Sequence, residues 1–389
     1  MGERTYFIVD SHEDLAWNML TFGRDYTQKV QSIRSREAST EIPRHNGSTL
    51  LGWDAYQQGK VGVVFATLFS APLRKKEGDW DILCYQDAPQ AHHLYQRQVD
   101  AYHKLVDEHP HYFRLIGTKK ELESHLQEWQ QAPDFTPPET PPESESLDEI
   151  ENQSPENRPP VGLVILMEGA EGVQNVEELL DWWNSGVRLI GPAWIGTRFC
   201  GGTGEPGKLT KEGFQLLDAM ADIGFILDLS HMDELAVLQA LDVYPGPVVA
   251  THANPLAMLP GKDSNRFLPD HILEGILARN GVVGIVPYNL FLDSNWAKGM
   301  RRELVSIQRV ADHIDYVCQV AGDAKHVGIG SDFDGGFGWQ SVPEEIDSIA
   351  DLQQLAPLLE ARGYTEADLV DIFGGNWLDV LQSSLPEDA

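Results

Sequence analysis

The stretch IVDSHED, residues 8–14, is a short apolar run that ends at two residues able to bind a metal, His12 and Asp14. Four later runs have the same form: LVILMEG (163–169) ends at Glu168, FILDLSH (225–231) at His231, VVATH (248–252) at His252 and VGIGSDFDG (327–335) at Asp332. An apolar run that breaks at a polar residue is typical of a buried parallel strand whose carboxyl end faces an active site. The pattern predicts a metal enzyme built on a barrel.

Strand-like runs occur eight times along the chain, and helical segments separate most of them. The runs cover residues 6–10, 62–69, 161–167, 187–193, 224–229, 247–251, 281–286 and 326–330. Segments such as 210–224 and 305–322 carry apolar residues three and four positions apart, and a glycine closes each one. We therefore predict an α/β fold, a (β/α)8 TIM-type barrel like that of metal-dependent hydrolases, as a single domain over residues 1–389.

The region between the second and third predicted strands is longer than a barrel connection requires. Segments 91–109 and 119–131 have helical period and are expected to pack outside the barrel as a helical insertion. Residues 132–160 then combine paired prolines with many carboxylates and few apolar side chains, which predicts a mobile Pro/Glu-rich surface loop.

Composition excludes several classes of partner. The formal net charge of -31 would repel phosphate backbones and anionic lipids, so we expect neither nucleic-acid nor membrane binding. No apolar run approaches the roughly 20 residues of a membrane span. The three cysteines, Cys84, Cys200 and Cys318, lie far apart and show no metal-binding spacing. A reduced, cytoplasmic location is the expectation.

The strand-end residues form a set suited to metal chemistry. His12 and Asp14 are two apart on a strand, which points both side chains to one side, although such a pair alone is more often structural. Glu168, His231 and His252 occupy the same place in other runs, and barrel strand ends converge on one pocket. Singly, each histidine could bond a backbone carbonyl and Glu168 could cap a helix. Together they predict zinc or manganese, with two ions plausible and Glu168 placed to bridge them.

A family resemblance adds to this interpretation. The motifs that carry it are VDSHEDLAW, LMEGAEGV, LDLSHMDELA, THANPLAM, SNRFLPD, HVGIGSDFDG and GYTEADLVDIFGGNWLDVL, in that order along the chain. Together they resemble the membrane dipeptidase (renal dipeptidase) family of zinc peptidases, over nearly all the chain except the Pro/Glu-rich segment. The resemblance implies a barrel with two Zn2+ ions that cleaves dipeptides, and a homodimer, which is frequent in that family.

The resemblance also implies individual roles. His12 and Asp14 would bind one zinc ion, His231 and His252 the other, and Glu168 would bridge the two. Arg266 would grip the substrate carboxylate through two parallel hydrogen bonds. Asp332 resembles the catalytic aspartate of the family, beside the reacting water.

One position departs from the family pattern. The fourth strand of the family usually ends in a histidine that contacts the substrate, whereas GVRLIGPAWIGTRF (186–199) places Trp194 there. An indole N–H donates a hydrogen bond but neither carries charge nor accepts a proton. Substrate preference is therefore expected to differ from that of family members with histidine.

The predicted function is hydrolysis of a dipeptide by water that two zinc ions activate. One alternative keeps the metals but takes another small amide, ester or lactam. A second is a non-catalytic binding protein on the same scaffold. A phosphate-binding barrel is disfavoured, because Asp332 and Asp334 in the glycine-rich segment after the last strand would repel the ligand.

Overall fold

The computed structural model describes residues 4–132 and 154–388. Its strands are β1 (Ile8–Glu13), β2 (Val61–Phe69), β3 (Ala71–Pro72), β4 (Cys84–Tyr85), β5 (Phe113–Leu115), β6 (Val161–Glu168), β7 (Val187–Gly191), β8 (Ile226–Asp228), β9 (Val248–Val249), β10 (Val283–Ile285) and β11 (Val327–Ile329). Every strand predicted from the sequence is present, with shifted ends. The short strands β3, β4 and β5 were not predicted.

Eight of these strands form a parallel barrel. Their order is β10-β11-β1-β2-β6-β7-β8-β9, and a parallel bridge between Ala250 and Val283 joins the two ends. The strand β5 pairs with the first residues of β6. Both faces of β2 and β6 are buried, which explains their nearly continuous apolar sequences. The predicted TIM-type barrel is confirmed.

The α-helices surround the barrel. Their bounds are Leu15–Phe22, Val30–Glu37, Ile42–His45, Trp53–Gln58, Ala88–Glu108, Lys119–Gln131, Leu179–Asn184, Lys211–Ile223, Glu234–Val243, Asp270–Leu277, Asn289–Leu292, Gln308–Ala321, Leu355–Glu360, Glu366–Val370 and Asn376–Ser384. A π-helical turn, Asp371–Gly375, precedes the last helix. Gly224 and Gly322 end their helices with φ of 107° and 84°, in the left-handed region that favours glycine.

The predicted helical insertion follows β2 and contains helices Ala88–Glu108 and Lys119–Gln131. The first helix packs against the barrel through buried side chains, among them Tyr95 and Tyr102. The Tyr95 hydroxyl donates to the carbonyls of Gly169 at 2.7 Å and Glu168 at 3.0 Å, at the end of β6. The insertion therefore supports a strand end that belongs to the predicted site.

Most of the predicted Pro/Glu-rich loop, residues 133–153, lies outside the described residues. The end of that segment differs from the prediction, since residues 158–160 are buried. The carbonyl of Pro159 accepts from Gln57, and that of Pro160 accepts from Trp129. These contacts hold the residues just before β6 against helices Trp53–Gln58 and Lys119–Gln131.

Cys84, Cys200 and Cys318 are all buried free thiols. Among the described helices, none combines the length and the hydropathy that crossing a bilayer would require.

Candidate active site

His12 and Asp14 meet Glu168 at the carboxyl end of the barrel. His12 Nε2 lies 3.6 Å from Glu168 Oε2 and 4.0 Å from Asp14 Oδ1. The His12 ring is fully buried, and its Nε2 has no hydrogen-bond partner among the described atoms. A buried nitrogen without a partner, beside two carboxylates, has the surroundings of a metal ligand.

His231 and His252 approach the other oxygen of the same glutamate. Their Nε2 atoms lie 3.1 Å and 3.4 Å from Glu168 Oε1, and 2.9 Å from each other. Glu168 thus presents Oε2 to His12 and Oε1 to the second pair of imidazoles. This is the arrangement that a bridging carboxylate needs.

The outer nitrogens of the second pair are held by hydroxyls. Thr203 Oγ1 lies 2.9 Å from Nδ1 of His231, and Thr251 Oγ1 lies 3.0 Å from Nδ1 of His252. If each hydroxyl accepts from an Nδ1–H, both Nε2 atoms carry lone pairs that face one another and Glu168. These lone pairs and the carboxylate repel one another, and a cation bound between them would remove the repulsion. The residues therefore fit a metal ion.

The charges of the cluster are unbalanced. Burial raises the pKa of Asp14 to about 7, with the charge of Glu168 adding to the shift. Burial also raises the pKa of Asp332 well above its ordinary value, and Asp14 adds to it. Burial opposes a charge on His12, but Glu168, Asp14 and Asp332 raise its pKa to about 9. The cluster holds more negative charge than its side chains neutralise, which favours a bound cation.

Asp228 was missed by the sequence reasoning. It lies at the end of β8 within ligand distance of His12 and His252. Its oxygens, however, accept from Thr251 Oγ1 at 2.6 Å, from the amide of Thr251 at 3.0 Å and from the amide of Ser230 at 3.0 Å. Asp228 therefore supports the ligands through Thr251. Its place in the run FILDLSH was the available signal.

Asp332 lies next to the first group of ligands, with Oδ1 3.9 Å from His12 Nε2. It has φ of 55°, and its amide donates to the carbonyl of His12 at 3.0 Å. A Cβ on Gly335 would lie 2.1 Å from Asp332 Oδ1, so only glycine fits there. Asp334 points elsewhere, into a buried network with Arg24 and Tyr26.

The candidate ligands Asp14, Glu168 and His231 line a cavity of about 480 Å³, and its wall also includes Arg266 and Trp194. Nη2 of Arg266 donates to the carbonyl of His252 at 2.7 Å, and its guanidinium lies 5.1 Å from the ring centroid of Phe291. Nη1 is buried without a partner among the described atoms. A buried, incompletely paired guanidinium is suited to bind a carboxylate.

Trp194 forms an aromatic part of the wall near the ligands. Its ring centroid lies 5.0 Å from that of Phe69 and 6.4 Å from that of His231. All the residues predicted for the site are therefore near one another: His12, Asp14, Glu168, Trp194, His231, His252, Arg266 and Asp332.

Comparison with known proteins identifies the family. The model of the membrane dipeptidase family (peptidase family M19) matches residues 139–385. The chain belongs to the membrane dipeptidase family. It is thus a metallopeptidase of the dipeptidase class, as the motifs predicted.

Individual relatives cover different shares of the chain. An uncharacterized protein in the pqqA 5′ region of Klebsiella pneumoniae is 34% identical over 233 residues, 57% of this chain and 82% of that protein. Dipeptidase tcpJ of Claviceps purpurea is 30% identical over 179 residues, 45% of this chain and 38% of that protein. The match therefore covers less than two thirds of that fungal dipeptidase.

Solved structures share the fold over the whole chain. The crystal structure of dipeptidase AC, a metallo peptidase of family M19, has a TM-score of 0.72 at 23% identity and covers 98% of this chain and 99% of that chain. A metallo peptidase from Rhodobacter sphaeroides, liganded with a phosphinate mimic of the dipeptide L-Ala-D-Ala, has a TM-score of 0.71 at 21% identity, with 98% and 100% covered. At these identities the likeness shows the fold.

Proposed function

We propose that the protein hydrolyses dipeptides with two zinc ions at the barrel mouth. His12 and Asp14 would hold one ion, His231 and His252 the other, and Glu168 would bridge them. The observation that carries the proposal is that the two carboxylate oxygens of Glu168 face different histidines. Oε2 faces His12, and Oε1 faces His231 and His252. When bound, zinc supplies Lewis acidity and brings the pKa of water from 15.7 to about 7.

Arg266 would fix the free carboxylate of the substrate. Its unpartnered Nη1 and the Nη2 that already donates to His252 form a fork on one side of the cavity. A dipeptide places its carboxylate one residue from the scissile bond, whereas a longer peptide places it farther away. Arg266 would thereby favour dipeptides over longer peptides.

Asp332 would move the proton. Its Oδ1 lies beside His12 and within the cavity wall, where the carboxylate can accept a proton from the attacking water. The same oxygen would then donate that proton to the leaving amine, which becomes a neutral amino group. Burial is the main cause that raises the pKa of Asp332 above its ordinary value, which makes its carboxylate a stronger proton acceptor than that of an exposed aspartate.

Trp194 supports a second candidate substrate class. Its indole N–H is the only polar group that this side chain offers, in place of an imidazole that could carry charge. Activated esters and strained lactams need less stabilisation of the transition state at this position than a peptide bond does. Their hydrolysis would therefore be affected least by an indole in place of the imidazole. A screen on small amides, esters and lactams beside dipeptides decides between the two classes.

The test combines metal content with activity on one preparation. Zinc-loaded protein should contain two zinc ions per chain by elemental analysis and release amino acids from a dipeptide panel, but not from dipeptide amides. Fewer than one ion per chain after loading would support the non-catalytic binding protein instead. Activity on esters or lactams, with none on dipeptides, would support the second substrate class.

A variant isolates the proton transfer. Asp332→Asn should keep its zinc and lose roughly 10²- to 10⁴-fold in kcat, the usual contribution of a general acid or base. Asp222→Asn, which changes an exposed aspartate on helix Lys211–Ile223, is the matched control and should keep full activity. Full turnover by Asp332→Asn would reject the assignment.

A further inference from the structure

The cavity places opposite charges on opposite sides of the barrel. Arg266 follows β9, and Asp81 follows β2; both line the cavity. In the closed order of strands, three strands separate β2 from β9 in either direction: β6, β7 and β8 on one side, and β1, β11 and β10 on the other. The two loops therefore face each other across the metal-ligand cluster.

Asp81 is an unusual side chain for a cavity wall. It is only 5% exposed, and its Oδ2 accepts from the amide of Glu77 at 3.3 Å. The thiol of Cys84 is its other hydrogen-bonding neighbour. Within the part of the chain that the structure describes, no lysine, arginine or histidine forms an ion pair with it. A buried carboxylate without a cation is costly, and a cationic ligand would compensate it.

An aromatic wall leads from the metal ligands towards Asp81. The ring centroids of Trp194 and Phe69 lie 5.0 Å apart, those of Phe69 and Trp17 6.3 Å, and those of Trp17 and Trp80 6.2 Å. Trp80 is the neighbour of Asp81 in the sequence. Such a wall accommodates the aliphatic stem of a long side chain, and its ring faces attract a cation.

We propose that Asp81 recognises a basic side chain on the amino-terminal residue of the substrate dipeptide. The proposal rests on the proposed function, which places the carboxylate at Arg266 and the scissile bond at the metals. The amino-terminal residue then extends towards β2. Its α-amino group is one carbon from the scissile carbonyl and stays beside the metal ligands. Only a long side chain reaches past Trp17 to Asp81.

The other charges at this end are exposed. Glu77 and Lys75 both line the cavity at its mouth, and both are exposed. The charge of Lys75 contributes to lowering the pKa of Glu205, so Lys75 already interacts with another carboxylate. Solvent screens exposed charges strongly, and the buried carboxylate of Asp81 therefore dominates recognition.

The test compares two side chains with the same number of carbon atoms, one with and one without a terminal ammonium group. Lysyl-alanine should be hydrolysed with a kcat/KM roughly 10- to 100-fold above that of norleucyl-alanine, the range for a charged hydrogen bond. Asp81→Asn should abolish this preference and leave norleucyl-alanine unchanged. Asp79→Asn is the control for an exposed acid in the same loop that does not line the cavity, and it should keep the preference. Equal rates for the two substrates, or an equal loss on both in Asp81→Asn, would overturn the proposal.

Binding measurements separate this proposal from the proposed function. Phosphinate dipeptide mimics with lysine or norleucine at the amino-terminal position are titrated into zinc-loaded protein by calorimetry. Tighter binding of the lysine mimic, lost in Asp81→Asn, would support the subsite even if no dipeptide were cleaved. Equal affinities in a protein that cleaves dipeptides would reject the subsite and leave the activity standing.

Discussion

The hydroxyl of Thr251 donates to Oδ2 of Asp228 at 2.6 Å, and this contact supports both groups of candidate metal ligands. The same hydroxyl lies 3.0 Å from Nδ1 of His252 and 3.5 Å from Nδ1 of His12. Because the hydroxyl hydrogen is donated to the carboxylate in this hydrogen bond, the hydroxyl oxygen is left to accept hydrogen bonds from the imidazoles. One buried threonine therefore orients a histidine on each side of Glu168.

Removing that hydroxyl should weaken metal binding. Thr251→Val keeps the shape of the side chain but leaves Asp228 and both Nδ1 atoms without their shared partner. We expect a loss of about 10- to 100-fold in zinc affinity, measured by competition with a chelator. Thr251→Ser retains the hydroxyl and should bind zinc nearly as well as the wild type. Equal affinity in the valine variant would show that the contact is incidental.

Replacement of Glu168 should change the number of ions. Glu168→Gln keeps the size but loses the charge between the two groups, so we expect the zinc content to fall from two ions per chain to one or fewer, by native mass spectrometry. Glu171→Gln alters an acid in the same motif that pairs with Arg198 at 3.0 Å, and it should retain both ions. Two tightly held ions in Glu168→Gln would contradict a bridging role.

Arg266 should act on the carboxylate end of the substrate alone. Arg266→Lys keeps a positive charge but loses the fork, and we expect kcat/KM for dipeptides to fall about 10- to 100-fold, mainly through KM. For the corresponding dipeptide amides, which lack the carboxylate, the variant and the wild type should be equally slow. A fall in kcat with unchanged KM would indicate a different role.

The meeting of the candidate ligands at one place could be predicted because one physical rule connects sequence to position. Parallel barrel strands are buried on both faces, so His231 and His252 stand out as polar residues at the ends of apolar runs. Strand ends of a barrel converge, which brings residues more than 200 positions apart into contact without any knowledge of the loops. The same rule placed Glu168 between the two groups.

Loop-borne features could not be predicted in this way. Asp81 faces the cavity because of how its neighbour Trp80, in the loop between β3 and β4, packs on Trp17, and no periodicity encodes that packing. The support that Asp228 gives could not be predicted, because nothing in the run FILDLSH shows whether its carboxylate bonds Thr251 or a metal. Hydrogen bonds to Thr251 distinguish the two roles, and those depend on side-chain geometry.

Gly335 should be required for the position of Asp332. An added Cβ would lie 2.1 Å from Asp332 Oδ1 and 3.0 Å from Asp14 Oδ2. Gly335→Ala must therefore displace the carboxylate, and a displacement of about 1 Å costs on the order of 100-fold in rate. The measurement is kcat at saturating dipeptide. Gly207→Ala, whose Cβ would meet no atom closer than 3.5 Å, is the control and should retain its rate.

His125 should make the fold sensitive to acid independently of the metal site. The ring is fully buried, Nε2 lies 2.8 Å from the carbonyl of Gly62, and burial lowers its pKa from 6.5 to about 4. Because the folded pKa is the lower one, this stabilising contribution is complete above pH 6.5. It is lost as the pH falls towards 4, by about 2 kcal/mol at pH 5.

The variant His125→Gln tests this, because its amide can still donate to Gly62 but does not titrate. Between pH 7.5 and pH 5, its free energy of unfolding in urea should fall by about 2 kcal/mol less than that of the wild type. Titration of the candidate metal ligands is common to both proteins and cancels in the difference. His271→Gln, at an exposed histidine, should follow the wild type. Parallel curves for His125→Gln and the wild type would mean that His125 is not held neutral by burial.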